Sequence, residues 1–367
     1  VDDDDLHRRT LGVTMPRDAV TTARLTSASY EVADGLAANE LYQDNGWTDG
    51  LPIVPPTEPL VRAFLDAAGL PADHVVGVEP VRRRRITAEK VAIAAVMAGC
   101  RPGYMPVVIA VVRAMCAPEF GLHGTTASTG GSAQLIVVNG PVRRALGMNA
   151  THNALANASR ANATIGRTAR LLILNVLGGA PGRLDRSTLG HPGKFTFCVA
   201  EDEEDHPWTP LAAERGVPAG RSAVTVLAAG APHQLMNEWT RDPRELLETY
   251  AATMRANLLV YSIWPGNYAI VIARQHRDVL VAAGWSKRDV REYVHERARV
   301  TRGEWRAVGK GAVVGARAAD VHPALRSPDD LLVVAAGGPA GGFGAVIPPW
   351  YAAKSLAVTV PVEGGVP

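Results

Sequence analysis

Gln134-Leu-Ile-Val-Val138, entering a turn at Asn139-Gly-Pro141, is the stretch on which the fold turns. A short apolar run rich in β-branched residues and closed by Asn-Gly-Pro reads as a strand buried on both faces. Helical patterns flank it. Upstream, Thr57 can cap a helix to about Ala68, Thr87 a second through Ala98, and a third covers Val107 to Met115. Gly99, Pro102 and Gly103 break the apolar stretch Val91–Met115, which reads as two packed helices rather than a membrane span. Downstream, a helix is predicted over Ala161 to Val176.

The remainder repeats this alternation. Strands are predicted at 194–199, 223–228, 258–262, 268–273, Leu331–Ala335 and Leu356–Val360. Asp242-Pro-Arg-Glu245 and Ser286-Lys-Arg-Asp289 carry the N-cap and third-position acid of helix starts. The first of these helices should present Leu246, Tyr250 and Met254 to the core. The expected fold is α/β, with mixed or mostly parallel sheets, flanking helices and two domains. Residues 1–35 read as a flexible arm, 36–205 and 206–367 as the domains. Tyr42 to Pro56 reads as turn-rich rather than helical, and no internal repeat is evident.

Composition narrows the function. The 367 residues are 47% hydrophobic and 20% charged, which suits a folded globular chain. A net charge of +2 argues against a broad nucleic-acid surface, and Arg82-Arg-Arg-Arg85 is a single short basic run without interleaved aromatics. Three scattered cysteines, Cys100, Cys116 and Cys198, lack CxxC spacing and suit a reducing, cytoplasmic setting. The acidic start, Asp2 to Asp5, lacks the pattern of a secretory signal.

Candidate chemistry gathers in polar loops beside the apolar runs. His123-Gly-Thr-Thr-Ala-Ser-Thr-Gly-Gly-Ser132 offers His123, Thr125, Thr126 and Ser128 to a carboxylate, phosphate or carbonyl oxygen, with an ordinary surface loop as the plain alternative. Arg160, Asn162 and Arg167, at a helix start, with Asn149 and Asn153 nearby, could grip an anion or simply cap the helix. His123, His191, His233 and Lys194 are the acid–base candidates, provided their surroundings tune them toward neutrality. Asn267 is a further pocket candidate. Gly337, Gly338, Gly341 and Gly342 follow a strand and could approach a cofactor, yet they do not form Gly-x-Gly-x-x-Gly, so a nicotinamide cofactor is not expected. Glu201-Asp-Glu-Glu-Asp205 reads as a solvated face, with His206 making a divalent metal the sharper alternative.

The phrases Tyr42 to Pro56, Val91 to Cys100 and Gly190-His-Pro-Gly-Lys-Phe-Thr-Phe-Cys198 resemble a poorly characterised bacterial family grouped with proteins bearing a Sec/Cys-Gly-Ser-Cys motif. The resemblance runs over most of the chain after residue 35. It implies redox or thiol chemistry, but this chain has no Cys-Gly-Ser-Cys: either a cysteine-containing partner protein supplies that motif or the family label does not carry the chemistry here, and no catalytic role is taken from it. The residues themselves favour an enzyme acting on a small carboxylated or polar metabolite, with lyase or hydratase chemistry, in a homo-oligomer. A partner-dependent oxidoreductase and a non-catalytic binding or structural subunit are the alternatives.

Overall fold

A computed structural model describes residues 24–156, 159–312, 320–350 and 355–364. In chain order the first elements are α1 (Gly35–Asp44), α2 (Glu58–Ala68), β1 (Val75–Val78), β2 (Arg85–Thr87), α3 (Ala88–Ala98), α4 (Met105–Cys116), α5 (Leu122–Ala127) and β3 (Ala133–Asn139). There follow α6 (Val142–Ala145), α7 (Arg160–Asn175), β4 (Cys198–Ala200), α8 (Leu211–Glu214), β5 (Ala223–Ala229), β6 (His233–Met236), α9 (Pro243–Val260) and β7 (Tyr268–Ile272). The last are α10 (Arg274–Ala282), α11 (Lys287–Arg297), β8 (Arg299–Thr301), α12 (Arg302–Ala307), β9 (Val321–Pro323), β10 (Leu331–Ala335), β11 (Phe343–Ile347) and β12 (Val358–Pro361).

Two four-stranded mixed sheets form the centre, ordered β12-β5-β3-β4 and β10-β7-β11-β6. Because side chains alternate along a strand, each sheet has two apolar faces to bury. Leu135, Val137, Val199 and Leu227 of the first sheet share a core with Ala269, Val271, Leu332, Val334 and Ile347 of the second. On the outside, Ile136, Val138, Val224 and Val226 pack under α2, α3, α4 and α7. Tyr268, Ile270, Leu331 and Val333 pack under α9, α11 and α12. The result is four layers: helix, sheet, sheet, helix. Burial on both faces is why these strands read as unbroken apolar runs.

The two sheets have the same plan. In each, the central strand has a parallel neighbour (β4 beside β3, β10 beside β7). On its other side comes an antiparallel strand (β5, β11), and beyond that an antiparallel edge strand (β12, β6). The edge strands are exchanged. The chain passes from β5 to β6 in the second sheet, and from β11 back to β12 in the first. The crossovers touch, with Gly230 N donating to Pro348 O at 2.9 Å and Trp350 N to Ala228 O at 2.8 Å. A structural repeat is therefore present that residue identities do not display. Residues 206–367 supply two of the four strands of the first sheet, β5 and β12.

Some local expectations need correcting. Residues 1–23 of the expected arm lie outside the described residues. Within its described part, Thr26 and Ser27 are anchored, since buried Glu89 accepts from their backbone amides and hydroxyls at 2.6–3.1 Å. The 258–262 strand does not form, because α9 continues to Val260. The helix α1 reaches into the segment expected to be turns at Tyr42–Asp44. No single helix among the described residues is long and apolar enough to cross a membrane.

Candidate functional site

Two polar regions lie at opposite ends of the first sheet. At the amino end of β3, two glycine-bearing loops cross. Gly131 has φ +68°, and a Cβ there would lie 2.8 Å from the Cα of Gly190, so only glycine lets the backbones meet. Thr188 N donates to Thr129 O at 3.0 Å across the same junction. Trp350 Nε1 donates to Ser128 Oγ at 2.9 Å, and Tyr261 Oη donates to Gly130 O at 3.3 Å.

This crossing holds a cluster of four ionisable or hydroxyl side chains. Lys194 Nζ donates to Asp185 Oδ2 at 2.7 Å and to Ser187 Oγ at 2.6 Å. Ser187 Oγ in turn donates to Asp185 Oδ1 at 2.5 Å. Burial lowers the Lys194 pKa against the opposing pull of Asp185, with Arg170 adding to the decrease. Burial would raise Asp185, but the hydrogen bonds from Lys194 and Ser187 outweigh it and hold the carboxyl below its usual range. His191 accepts from Gly193 N at Nδ1, 3.2 Å, so its proton sits on Nε2, 3.2 Å from Ala229 O. Burial, with the neighbouring Lys194 charge, lowers its pKa and favours that neutral ring.

His123 belongs to the same 123–132 segment. Its Nδ1 is buried and has no hydrogen-bond partner. The expected open loop is partly helical, as Leu122–Ala127 forms α5. Thr125 and Thr126 spend their hydroxyls on Leu122 O at 3.1 and 2.7 Å, which fixes the turn rather than presenting donors outward. Ser128 Oγ accepts from Gly130 N at 2.9 Å.

Several other expected ligand-binding side chains are engaged with the protein itself. Arg160 caps the end of α3 through Gly99 O and Cys100 O. Arg167 makes a two-pronged bond to Asp49 at 2.7 and 2.8 Å and reaches Leu51 O and Pro52 O. Asn162, 1% exposed, exchanges hydrogen bonds with the backbone of Asn149, whose side chain holds His152 O. Asn153 takes a left-handed turn conformation, φ +56°. Asn267 bridges Asp330 and Ala357 N. His233 begins the edge strand β6, opposite Val346.

The 337–342 glycines meet protein, not open space. A Cβ on Gly337 would strike Ala273 at 2.6 Å, on Gly338 the His152 ring at 2.9 Å, and on Gly342 Asn237 O at 2.5 Å. At Gly341, φ +80°, it would meet the Phe343 ring at 2.7 Å. They allow close packing of a crossover into β11.

At the opposite end, the acidic run is not a solvated face. Glu201 is fully buried and accepts from Lys287 Nζ (2.5 Å), Asn139 Nδ2 (2.6 Å), Leu211 N (2.7 Å) and Ala335 N (3.3 Å). Asp202 pairs with buried Arg277 at 2.6 Å, and its amide reaches Ala335 O. These bonds tie the carboxyl end of β4 to that of β10, joining the sheets. Glu203 and Glu204 hold Arg143 at 3.1 and 3.0 Å. His206 turns to Asp202 O, and no group of three His, Cys, Asp or Glu among the described residues could hold a metal ion. The sequence signal was present in the Lys and Arg of α10 and α11, but nothing local pairs them with residues 201–204.

Burial raises the pKa of all three thiols, with Cys116 pushed up to about 12. None is held as a thiolate. No family model matches this chain, and no curated protein or solved structure matches it either. The chain's own buried network of charged and polar side chains, active-site-like in character, is therefore the ground on which chemistry can be assigned.

Proposed function

We propose that this chain is an enzyme for a small carboxylated or polar metabolite, using lyase- or hydratase-type acid–base chemistry at the Asp185–Ser187–His191–Lys194 cluster. The observation that supports it is Lys194, held by two hydrogen bonds in a half-buried site that lowers its pKa. A lysine so placed has more unprotonated amine near neutral pH, which is what a general base needs.

In an elimination, the Lys194 amine takes the proton beside the substrate carboxylate. The carbon–oxygen bond on the adjacent carbon breaks, and the hydroxyl takes a proton from solvent and leaves as water. Hydration is the reverse. Ser187 and Asp185 fix the amine in direction, and Arg170, 3.3 Å from Asp185, adds positive charge for an anionic substrate. Neutral His191 keeps the loop seated on Ala229 O.

A binding subunit is the competing reading, in which the same hydrogen bonds only clip the 185–194 loop. Nuclear magnetic resonance of 2-hydroxy, 3-hydroxy and unsaturated carboxylates incubated with the protein in deuterium oxide separates the two. The enzyme reading expects exchange or interconversion in at least one acid, reduced about 10²- to 10⁴-fold in Lys194→Gln. Binding without exchange, or full turnover in Lys194→Gln, would sink it.

A further inference from the structure

A cleft of about 610 Å³ opens beyond the carboxyl end of β3, well separated in the fold from the Lys194 loop at the amino end. We infer that it is a second ligand site, for a small monocarboxylic acid with an apolar or aromatic body.

The volume is that of a small-molecule site. The walls are largely apolar, with Pro141, Pro207, Trp208, Pro210 and Pro218 among them. Charge is uneven. Glu203 and Glu204 are matched by Arg143 and Arg144, whereas Arg221 at the rim has no carboxylate partner among the described residues. One unmatched cation above apolar walls suits one carboxylate better than a phosphate ester or a nucleotide.

Arg143 and Asn139 line the cleft and are 4% and 1% exposed, held in place by Glu201, Glu203 and Glu204. The frame is rigid. Gly140 has φ +86°, and a Cβ there would lie 2.6 Å from Arg221 O, so the turn bearing Arg221 is packed directly on the end of β3. The position also agrees with the tendency of α/β sheets to bind ligands beyond the carboxyl ends of their strands.

Isothermal titration calorimetry with benzoate tests this, with benzylamine as the charge-reversed probe. Wild type should bind benzoate saturably at a single site and should not bind benzylamine. Arg221→Gln should weaken benzoate roughly tenfold or more, the equivalent of one hydrogen bond to a charged group. Ala219→Trp, on the exposed turn lining the cleft, should abolish binding by filling it. Lys194→Gln should bind benzoate as wild type does, which keeps this result separate from that of the acid–base reading. Absence of saturable binding, equal binding of benzylamine, or unchanged affinity in both Arg221→Gln and Ala219→Trp would overturn the assignment.

Discussion

Replacing Lys287 with Met should be among the most destabilising single changes in this protein. The ammonium lies 2.5 Å from Glu201 Oε1, and the two side chains are 2% and 1% exposed. Met preserves the apolar stem but leaves a carboxylate sealed between two sheets. Breaking one partner of a buried pair costs about 3–5 kcal/mol, because the remaining charge is uncompensated. Three donors stay with Glu201, from Asn139, Leu211 and Ala335, so the lower part of that range is expected. Set against a total stability of about 5–15 kcal/mol, that is a large share. Urea unfolding followed by tryptophan fluorescence measures it. Trp208, whose Nε1 donates to Trp285 O two residues before Lys287, is a local reporter. The double variant Glu201→Gln/Lys287→Met should be more stable than Lys287→Met alone, since the stranded charge is gone. A loss under about 1 kcal/mol in Lys287→Met would refute the view that this pair pins the sheets together.

Two other outcomes are expected. Gly131→Ala forces a left-handed φ on a residue whose Cβ would meet Gly190 backbone at 2.8 Å, so about 1–3 kcal/mol should be lost in urea unfolding, with the Lys194 loop displaced. Glu204 is brought from the ordinary 4.5 down to about 2: burial opposes ionisation, but the Arg143 hydrogen bonds and charge outweigh it. Its stabilisation is therefore complete above about pH 4.5 and lost as pH falls through about 2. The effect is modest because the side chain is 35% exposed, and Arg143→Gln should flatten that part of an acid-unfolding curve.

Much of the fold was readable because local signals and tertiary environment agree. Thr87 accepts from Lys90 N, and Asp242 and Ser286 cap α9 and α11, with Asp289 completing a capping box. Leu246, Tyr250 and Met254 are buried as their spacing requires. The strands at 134–138 and 331–335 announce themselves because both faces are covered. The strand β11 was hidden by Gly344, which is glycine because a Cβ there would overlap the Tyr250 hydroxyl at 1.9 Å. The apolar run ending α9 is ambiguous between helix and strand when read alone. Within the site, His191 and Lys194 stood out, but Asp185 and Ser187 did not, since an Asp-Arg-Ser turn is common and its role depends on Lys194 folding back upon it. The partners of Arg160 and Arg167 were hidden for a related reason. Gly99 and Asp49 are far away in sequence, and the two arginines clamp onto them. The pairing of Glu201 with Lys287 is equally invisible until the two halves of the chain meet.

The state of the Lys194 amine tests the acid–base account most directly. Nuclear magnetic resonance titration of protein carrying carbon-13 at lysine Cε would report it residue by residue. Lys194 is expected to titrate below the ordinary lysine range, since burial disfavours its charge. Asp185→Asn should move it lower still, because the Asp185 carboxylate is what favours the ammonium. Titration at or above the ordinary range, or an upward shift in Asp185→Asn, would contradict a proton-transfer role for Lys194.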